Sequence, residues 1–280
     1  MNNTTENSKK TSINTLINNT LSRFQDRFTH FLPIVLLEIL LGIPFTYISF
    51  VSADQKKMAM IANLISEGSV TTVIAGASFI FVFFALLYLL FWTGLASLIA
   101  LVGEKEKDIF GYFIKAKSML KNYILMGIKS FLLVLGLLPF AFLTLFIIFL
   151  PWMVWPIFSS YIFLENPQGN LNPIWKSKKV LEGNFWRVVG LTIIPGIVIF
   201  IAGIYWGLNV KGWMSFLWTP ITQLFYTPLY LLYIHEIYLS LKTDVEIDSS
   251  YGSGWKNLSI IGYCLMSLLL LPIIILNFIG

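Results

Sequence analysis

Apolar residues dominate this chain in long runs that short polar stretches separate. The runs cover residues 31–51, 70–102, 124–150, 151–164, 188–206, 213–241 and 258–280. A helix of ~20 apolar residues is long enough to cross the hydrocarbon core of a bilayer. The pattern therefore predicts an all-α fold, a polytopic transmembrane helical bundle with about six to seven membrane segments.

The apolar stretch at 124–164 contains prolines at 139, 151 and 156 but no polar turn. Two interpretations remain open: a full span followed by a short second leg, or two bent spans. A break at Leu150-Pro151 is favoured. It leaves 151–164 too short for an independent span of ~20 residues, so this segment is predicted to be a broken or re-entrant leg packed on its neighbours.

Amphipathic patterns occupy three of the polar intervals. Residues 13–28, 108–121 and 173–182 each place apolar side chains at helical spacing, which predicts interfacial helices. Asn172 is expected to cap the third helix, with Pro173 at its first position and Gly183 at its end. Residues 115–123 and 176–185 are similar, which indicates either a duplication or only the shared composition of basic interfacial helices.

The predicted organisation follows from these elements. A polar N-terminus and interfacial helix occupy residues 1–30, a membrane domain 31–242, a cytoplasmic loop 243–257 and a C-terminal span 258–280. The first 30 residues contain no apolar core of a signal peptide, so the first span is expected to direct insertion.

The composition supports a membrane protein, and the distribution of lysine and arginine predicts its orientation in the membrane. Of the residues, 57% are hydrophobic and 12% charged, far from the ~25% charged of soluble domains. With the N-terminus inside, fifteen of the 19 Lys and Arg residues fall in inner segments and three in outer loops, while Lys129 lies within a span. This asymmetry predicts a multi-pass protein of the cytoplasmic membrane with a cytoplasmic N-terminus, whose partner is the anionic inner leaflet rather than nucleic acid.

Recognisable catalytic and cofactor motifs are lacking. The sequence contains no phosphate loop, no GxSxG and no HExxH. The two histidines, His30 and His235, have no nearby cysteine or paired acids, and Cys264 is the only cysteine. We therefore predict no metal, no cofactor and no enzymatic activity.

Four polar residues within the predicted spans are expected to occupy one layer. Glu38, Lys129, His235 and Glu236 lie five to seven residues from inner span ends, or ~8–10 Å deep. An ionised group at a span centre costs ~2.5–3.5 kcal/mol, which pairing relieves. Lys129 is therefore predicted to contact Glu38 or Glu236. The alternative is that Lys129 extends to the headgroups and each acid is protonated or hydrated.

Small residues recur on one predicted span. Gly196, Gly203 and Gly207 follow helical spacing, and Gly203–Gly207 form a GxxxG motif. Such residues allow helix backbones to approach closely. Packing inside the monomer and a dimer face both remain open.

A family resemblance begins at Glu165-Asn166-Pro167 and continues through Ile174-Trp175-Lys176-Ser177 and Leu181-Glu182-Gly183-Asn184-Phe185-Trp186-Arg187. This pattern resembles the membrane domain associated with glycerophosphoryl diester phosphodiesterases and related uncharacterised bacterial membrane proteins. In that family an acid ends a short span, a helix carries a serine, and a glycine and an arginine open the next span, here Glu165, Ser177, Gly183 and Arg187. The resemblance implies the fold and a bacterial membrane. It implies no activity, because the soluble phosphodiesterase domain is missing, and the span after Lys256 departs from the family.

Three functions are compatible with these observations. The first is a non-catalytic scaffold, an enzyme partner or a lipid-organising module, with a membrane protein as a further partner. The second is a transporter or channel for small solutes or lipids, suggested by the proline-broken spans. The third is an enzyme acting at the membrane. A transporter needs convergent polar groups near the midplane, whereas a scaffold does not.

Overall fold

The computed structural model describes residues 11–52, 70–144, 151, 154–210, 217–242 and 252–279. Every regular element in these ranges is helical, which confirms the all-α fold class. The first three helices are α1 (Ile13–Ser52), α2 (Val70–Val102) and α3 (Ile109–Leu143). The bounds of α2 coincide with the predicted run at 70–102.

Two amphipathic segments are continuous with the apolar segments that follow them. The amphipathic segment at 13–28 and the span at 31–51 form one continuous helix, α1, with Pro33 and Pro44 inside it. The segments at 108–121 and 124–150 likewise join in α3, as far as Leu143. A continuous helix satisfies its backbone hydrogen bonds internally, which matters most where lipid offers no partners. Residues 145–150 lie outside the described ranges.

Short elements follow α3. A single 3-10 turn, Trp155–Phe158, leads into α4 (Ser159–Glu165), and α5 (Asn172–Leu181) lies beyond a polar connection. The predicted leg at 151–164 thus consists of short pieces where it is described. Asn172 does not cap α5: it is the first helical residue, and its backbone amide donates to Asn170 Oδ1 at 2.9 Å. The side-chain acceptor just before α5 is therefore Asn170, while Leu171 occupies the N-cap position.

The remaining helices are longer. Helix α6 is Phe185–Asn209, with Pro195 inside it. The predicted run at 213–241 contains α7 (Trp218–Ile221), a π-helical turn at Thr222–Tyr226 and α8 (Thr227–Leu241). Helix α9, Ser253–Ile279, begins five residues before the predicted span.

Four helical stretches among the described residues are long and apolar enough to cross a membrane. They are Ile13–Pro44, Ile80–Val102, Ile109–Phe140 and Phe185–Asn209. Their length and composition indicate a membrane-embedded protein.

Contacts divide the chain into two compact units, described here separately. The first contains residues 1–22, 121–211 and 230–280, and the second contains residues 23–120 and 212–229. In the first, α4, α5 and the 3-10 turn pack together around Phe158, Phe163 and Trp175, all almost completely buried. Aromatic side chains of this size each bury a large apolar area.

The second unit has its own core and polar rim. Phe31, Leu95, Ile99 and Tyr112 are almost completely buried. The Tyr112 hydroxyl lies 3.2 Å from His30 Nδ1 and accepts from the Glu106 amide at 3.1 Å. These bonds tie the loop before α3 to α1.

Candidate functional site

The residues of the family-like motif lie in the first unit, where each joins a different pair of elements. Glu165 ends α4, and its Oε1 lies 2.7 Å from Lys242 Nζ, just beyond α8. The Tyr238 hydroxyl donates to the same oxygen at 3.1 Å. Because both partners come from the end of α8, Glu165 fixes that end against α4. About two-fifths of the Glu165 side chain stays accessible, so the ion pair is only partly shielded.

Ser177 is fully buried on α5 and connects that helix to the 3-10 turn. The Phe158 backbone amide donates to Ser177 Oγ at 3.2 Å. A side-chain acceptor is useful here because an amide at a helical junction needs a partner when water is excluded. The serine therefore has a structural contact that explains its place in the pattern.

Gly183 and Arg187 shape the junction between α5 and α6. Gly183 has a φ of +82°, a left-handed conformation that glycine adopts without strain, and it follows the end of α5 as predicted. Arg187, in the first turn of α6, donates from Nη2 to the Thr11 carbonyl at 3.0 Å. The motif thus holds the chain immediately before α1 as well as the helices around it.

His235 and Glu236, two members of the predicted polar layer, are buried on α8. The His235 ring lies 5.1 Å from the Tyr161 ring, and the Tyr161 hydroxyl donates to the Leu231 carbonyl at 2.7 Å. Glu236 Oε2 accepts from Asn19 Nδ2 at 3.2 Å. Asn19 is a partner that the sequence patterns did not reveal, because an isolated asparagine on an amphipathic helix carries no distinctive signal.

The other two members lie in different surroundings. Lys129 is exposed and donates to the Gly169 carbonyl at 2.7 Å, while Asn122, two turns earlier on α3, donates to the Pro167 carbonyl at 3.1 Å. Lys129 and Asn122 together hold the connection between α4 and α5. Glu38 belongs to the second unit, where its Oε1 faces Gly94. The contact of Lys129 with Glu38 or Glu236 stays a prediction.

The glycines of α6 contrast with a pair that sequence reasoning missed. A Cβ built at Gly196 or Gly207 meets no described atom within 4 Å. Gly136 on α3 and Gly262 on α9 instead face each other so closely that a Cβ on Gly262 overlaps the Gly136 carbonyl oxygen. Ser259 Oγ donates to the Leu133 carbonyl at 3.1 Å beside this crossing. The small residues Ser259 and Gly262, three positions apart, were the available signal.

These contacts explain how the C-terminal helix, α9, packs on the other elements of the first unit. At the start of α9, the rings of Trp255 and Trp155 meet edge to face with centroids 4.9 Å apart. Just before α9, Gly252 has a φ of +83°, and a Cβ there lies 2.5 Å from the Trp175 ring. Helix α9 is therefore packed against α3, while Gly252 and Trp255 lie on α5 and the 3-10 turn.

The chemistry available to this arrangement is mainly structural. Among the residues that the structure describes, no group of three His, Cys, Asp or Glu side chains is placed to hold a metal ion. Each of the motif side chains Glu165, Ser177 and Arg187 contacts another part of the first unit. Their arrangement can hold short helices at defined positions.

Comparison with known proteins adds no relative: no protein-family model matches the chain, and neither curated proteins nor solved structures contain a significant match. The resemblance to the phosphodiesterase-associated membrane domain stays a prediction that rests on the motif at 165–187.

Proposed function

We propose that this chain is a non-catalytic, multi-pass protein of the cytoplasmic membrane that acts as a scaffold, an enzyme partner or a lipid-organising module. The observation that carries the proposal is the use of polar groups in the first unit. Glu165, Ser177 and Arg187 hold neighbouring elements together, and Glu236 contacts Asn19. Polar side chains engaged in this way fit a packed module better than a substrate path.

The proposed orientation puts the N-terminus, the first turns of α3 and the whole of α5 on the cytoplasmic side. Its support is the distribution of lysine and arginine, because positively charged segments are retained on the inner side. It includes six to seven membrane segments, of which α9 is the last. The basic residues of α5 would then face anionic headgroups.

Cysteine labelling of intact cells tests the orientation. In a background with Cys264→Ser, we expect Lys117→Cys and Lys178→Cys to react with a membrane-impermeant maleimide only after permeabilisation. Lys211→Cys, in a loop predicted to be outside, is the matched control and should react in intact cells. External reaction at either of the first two positions would contradict the proposed topology.

Extraction into native-lipid discs tests the role. We expect the purified protein to carry either a stoichiometric membrane-protein partner or a set of anionic lipids enriched over the bulk membrane. Mass spectrometry of proteins and lipids in the same discs provides the measurement. Bulk lipid composition with no partner protein would refute the scaffold and the lipid-organising role alike.

A transporter or channel is the second candidate, and the π-helical turn Thr222–Tyr226 favours it. Such turns occur often at functional sites, and interrupted helices line substrate paths in transporters. Thr222→Cys and Tyr226→Cys should react with a water-soluble maleimide if a path opens there. Ile201→Cys, on an exposed apolar part of α6, is the control expected to stay unreactive.

A further inference from the structure

A cavity lies where the 3-10 turn, the end of α5 and the start of α6 meet. Its volume is about 270 Å³, and Pro151, Trp155, Lys178, Leu181, Glu182 and Phe185 line it. Four of these side chains are apolar, and the remaining two carry opposite charges. The volume is slightly below the ~300–1,000 Å³ of typical ligand sites, which suits one headgroup better than a whole lipid.

Glu182 at the cavity wall pairs with two lysines: Lys178, which also lines the cavity, and Lys179, which lies beside it. Glu182 Oε1 lies 3.6 Å from Lys178 Nζ, and Glu182 Oε2 lies 3.0 Å from Lys179 Nζ. Lys178 Nζ also lies 5.2 Å from the centre of the Trp155 ring, a distance at which a cation is attracted to the ring face. The aromatic ring thus helps to hold one ammonium group at the cavity wall.

The surrounding segment has an excess of positive charge. Residues 176–187 contain Lys176, Lys178, Lys179 and Arg187 against the single acid Glu182. The segment that forms this wall therefore carries a net positive charge, which favours an anion in its vicinity. The apolar side chains Leu181 and Phe185 belong to the same wall and lead into α6, a helix of spanning length.

We propose that this cavity binds the headgroup of an anionic phospholipid. The lipid phosphate takes the place of the Glu182 carboxylate beside Lys178 and Lys179, and the first part of an acyl chain lies along Leu181 and Phe185. This site rests on the proposed function, since it requires the end of α5 to lie at the inner membrane surface. It gives that function a ligand class, namely lipids with a net negative headgroup.

The arrangement predicts opposite effects for the two charged residues. Removing the ammonium group in Lys178→Gln should weaken binding, because one phosphate contact is lost. Removing the competing carboxylate in Glu182→Gln should strengthen binding, because both lysines then interact with the lipid alone. One basic side chain near an anionic surface contributes ~1 kcal/mol, which corresponds to a change of about fivefold in affinity.

Native mass spectrometry of the full-length protein in detergent measures these changes. Phosphatidylglycerol and phosphatidylcholine with the same oleoyl chains are titrated into each variant. We expect Lys178→Gln to bind phosphatidylglycerol about fivefold more weakly, Glu182→Gln about fivefold more tightly, and both to bind phosphatidylcholine unchanged. Lys178→Arg keeps the charge and should keep the affinity, which separates binding from a folding defect. Lys117→Gln, at an exposed lysine of α3, is the matched control and should behave as the wild type.

Several results would overturn the site. One is an equal change in lipid affinity for Lys178→Gln and Lys117→Gln, and another is equal binding of phosphatidylglycerol and phosphatidylcholine. A third is loss of lipid binding on addition of millimolar inorganic phosphate, which would identify a soluble anion as the ligand. Failure of this site and failure of the proposed orientation can be distinguished, because lipid binding is measured in detergent and does not depend on orientation in a membrane. Labelling of Lys178→Cys from outside would refute the proposed orientation while leaving a measured lipid preference intact, and a missing preference with cytoplasmic labelling would refute only this site.

Discussion

Helices α5 and α6 are neighbours in sequence but differ in the environment of their side chains. Helix α5 carries three lysines, yet six of its ten residues are buried in the first unit. Helix α6 is rich in Ile, Val and Phe, yet Phe200, Tyr205 and Leu208 are 67%, 69% and 73% exposed. In water this would be an unfavourable distribution, because exposed apolar area of this extent is rare on soluble monomers. In a bilayer it is favourable, since lipid is the apolar solvent for α6 and protein packing positions α5.

The largest expected effect tests whether lipid surrounds α6. Ile197, at the middle of the helix, is exposed. Ile197→Lys should raise the apparent free energy of insertion by about 3 kcal/mol, the difference between the two side chains at a span centre. The ratio of glycosylated forms in a microsomal insertion assay, with an acceptor site engineered after α6, measures it.

The matched control is Trp186→Lys, because Trp186 is exposed in the first turn of the same helix. A lysine there can extend to the interface, so insertion should change little. Equal changes in the apparent free energy of insertion at both positions would mean that α6 does not cross the hydrocarbon core of a bilayer. Lipid would then not explain why α6 exposes apolar side chains while α5 buries its own.

The glycine crossing gives the next largest effect. Gly262→Leu should destabilise the protein by about 2 kcal/mol, because its side chain cannot fit against the Gly136 backbone and the helices must separate. Gly196→Leu on α6 has the same chemistry in open surroundings and should change stability little. Denaturation in mixed micelles followed by circular dichroism compares them. Similar losses of stability in both variants would show that the close contact with Gly136 is not the cause of the Gly262→Leu effect.

Ser177→Ala tests the packing of α5. The substitution removes an acceptor of the Phe158 amide and should cost about 1.5 kcal/mol, the upper end of the net contribution of a neutral hydrogen bond. Ser118→Ala is the control, since Ser118 is exposed and donates to the Lys115 carbonyl one turn earlier. A loss no larger than that of the control would indicate that α5 is not held through Ser177. The same micelle denaturation experiment provides the values.

The smallest effect concerns the junction between the two helices. Gly183→Ala places a side chain at a φ of +82° and should cost about 1 kcal/mol. Gly190→Ala, inside α6 and without a described atom near the added methyl, should instead be neutral or stabilising by up to about 1 kcal/mol. Melting temperatures of the two variants relative to wild type should therefore shift in opposite directions or differ clearly in size. If Gly183→Ala has the same melting temperature as wild type, the junction does not require a residue in the left-handed conformation at position 183.

Local chemistry was accessible from the sequence. The long apolar runs predicted helices because a polypeptide in lipid must satisfy its own backbone, and the helical fold and the bounds of α2 confirm this. Gly183 could be identified as the end of α5 because a left-handed residue is a local requirement of the backbone. The amphipathic segments 13–28 and 108–121 are each continuous with the apolar segment that follows, since a change in amphipathic pattern does not by itself break a helix.

Tertiary structure alone decided which polar and small residues meet. Asn19 reaches Glu236, Gly252 lies on Trp175, and Gly136 faces Gly262, each pair separated by 77 to 217 residues along the chain. Spacing within one helix shows that a close approach is allowed, but it does not name the neighbour. The neighbour depends on which helix faces pack together, and that is a property of the whole unit rather than of any segment. Hence sequence patterns could place α5 and α6 in order, while only the folded chain shows that the more polar helix is the buried one.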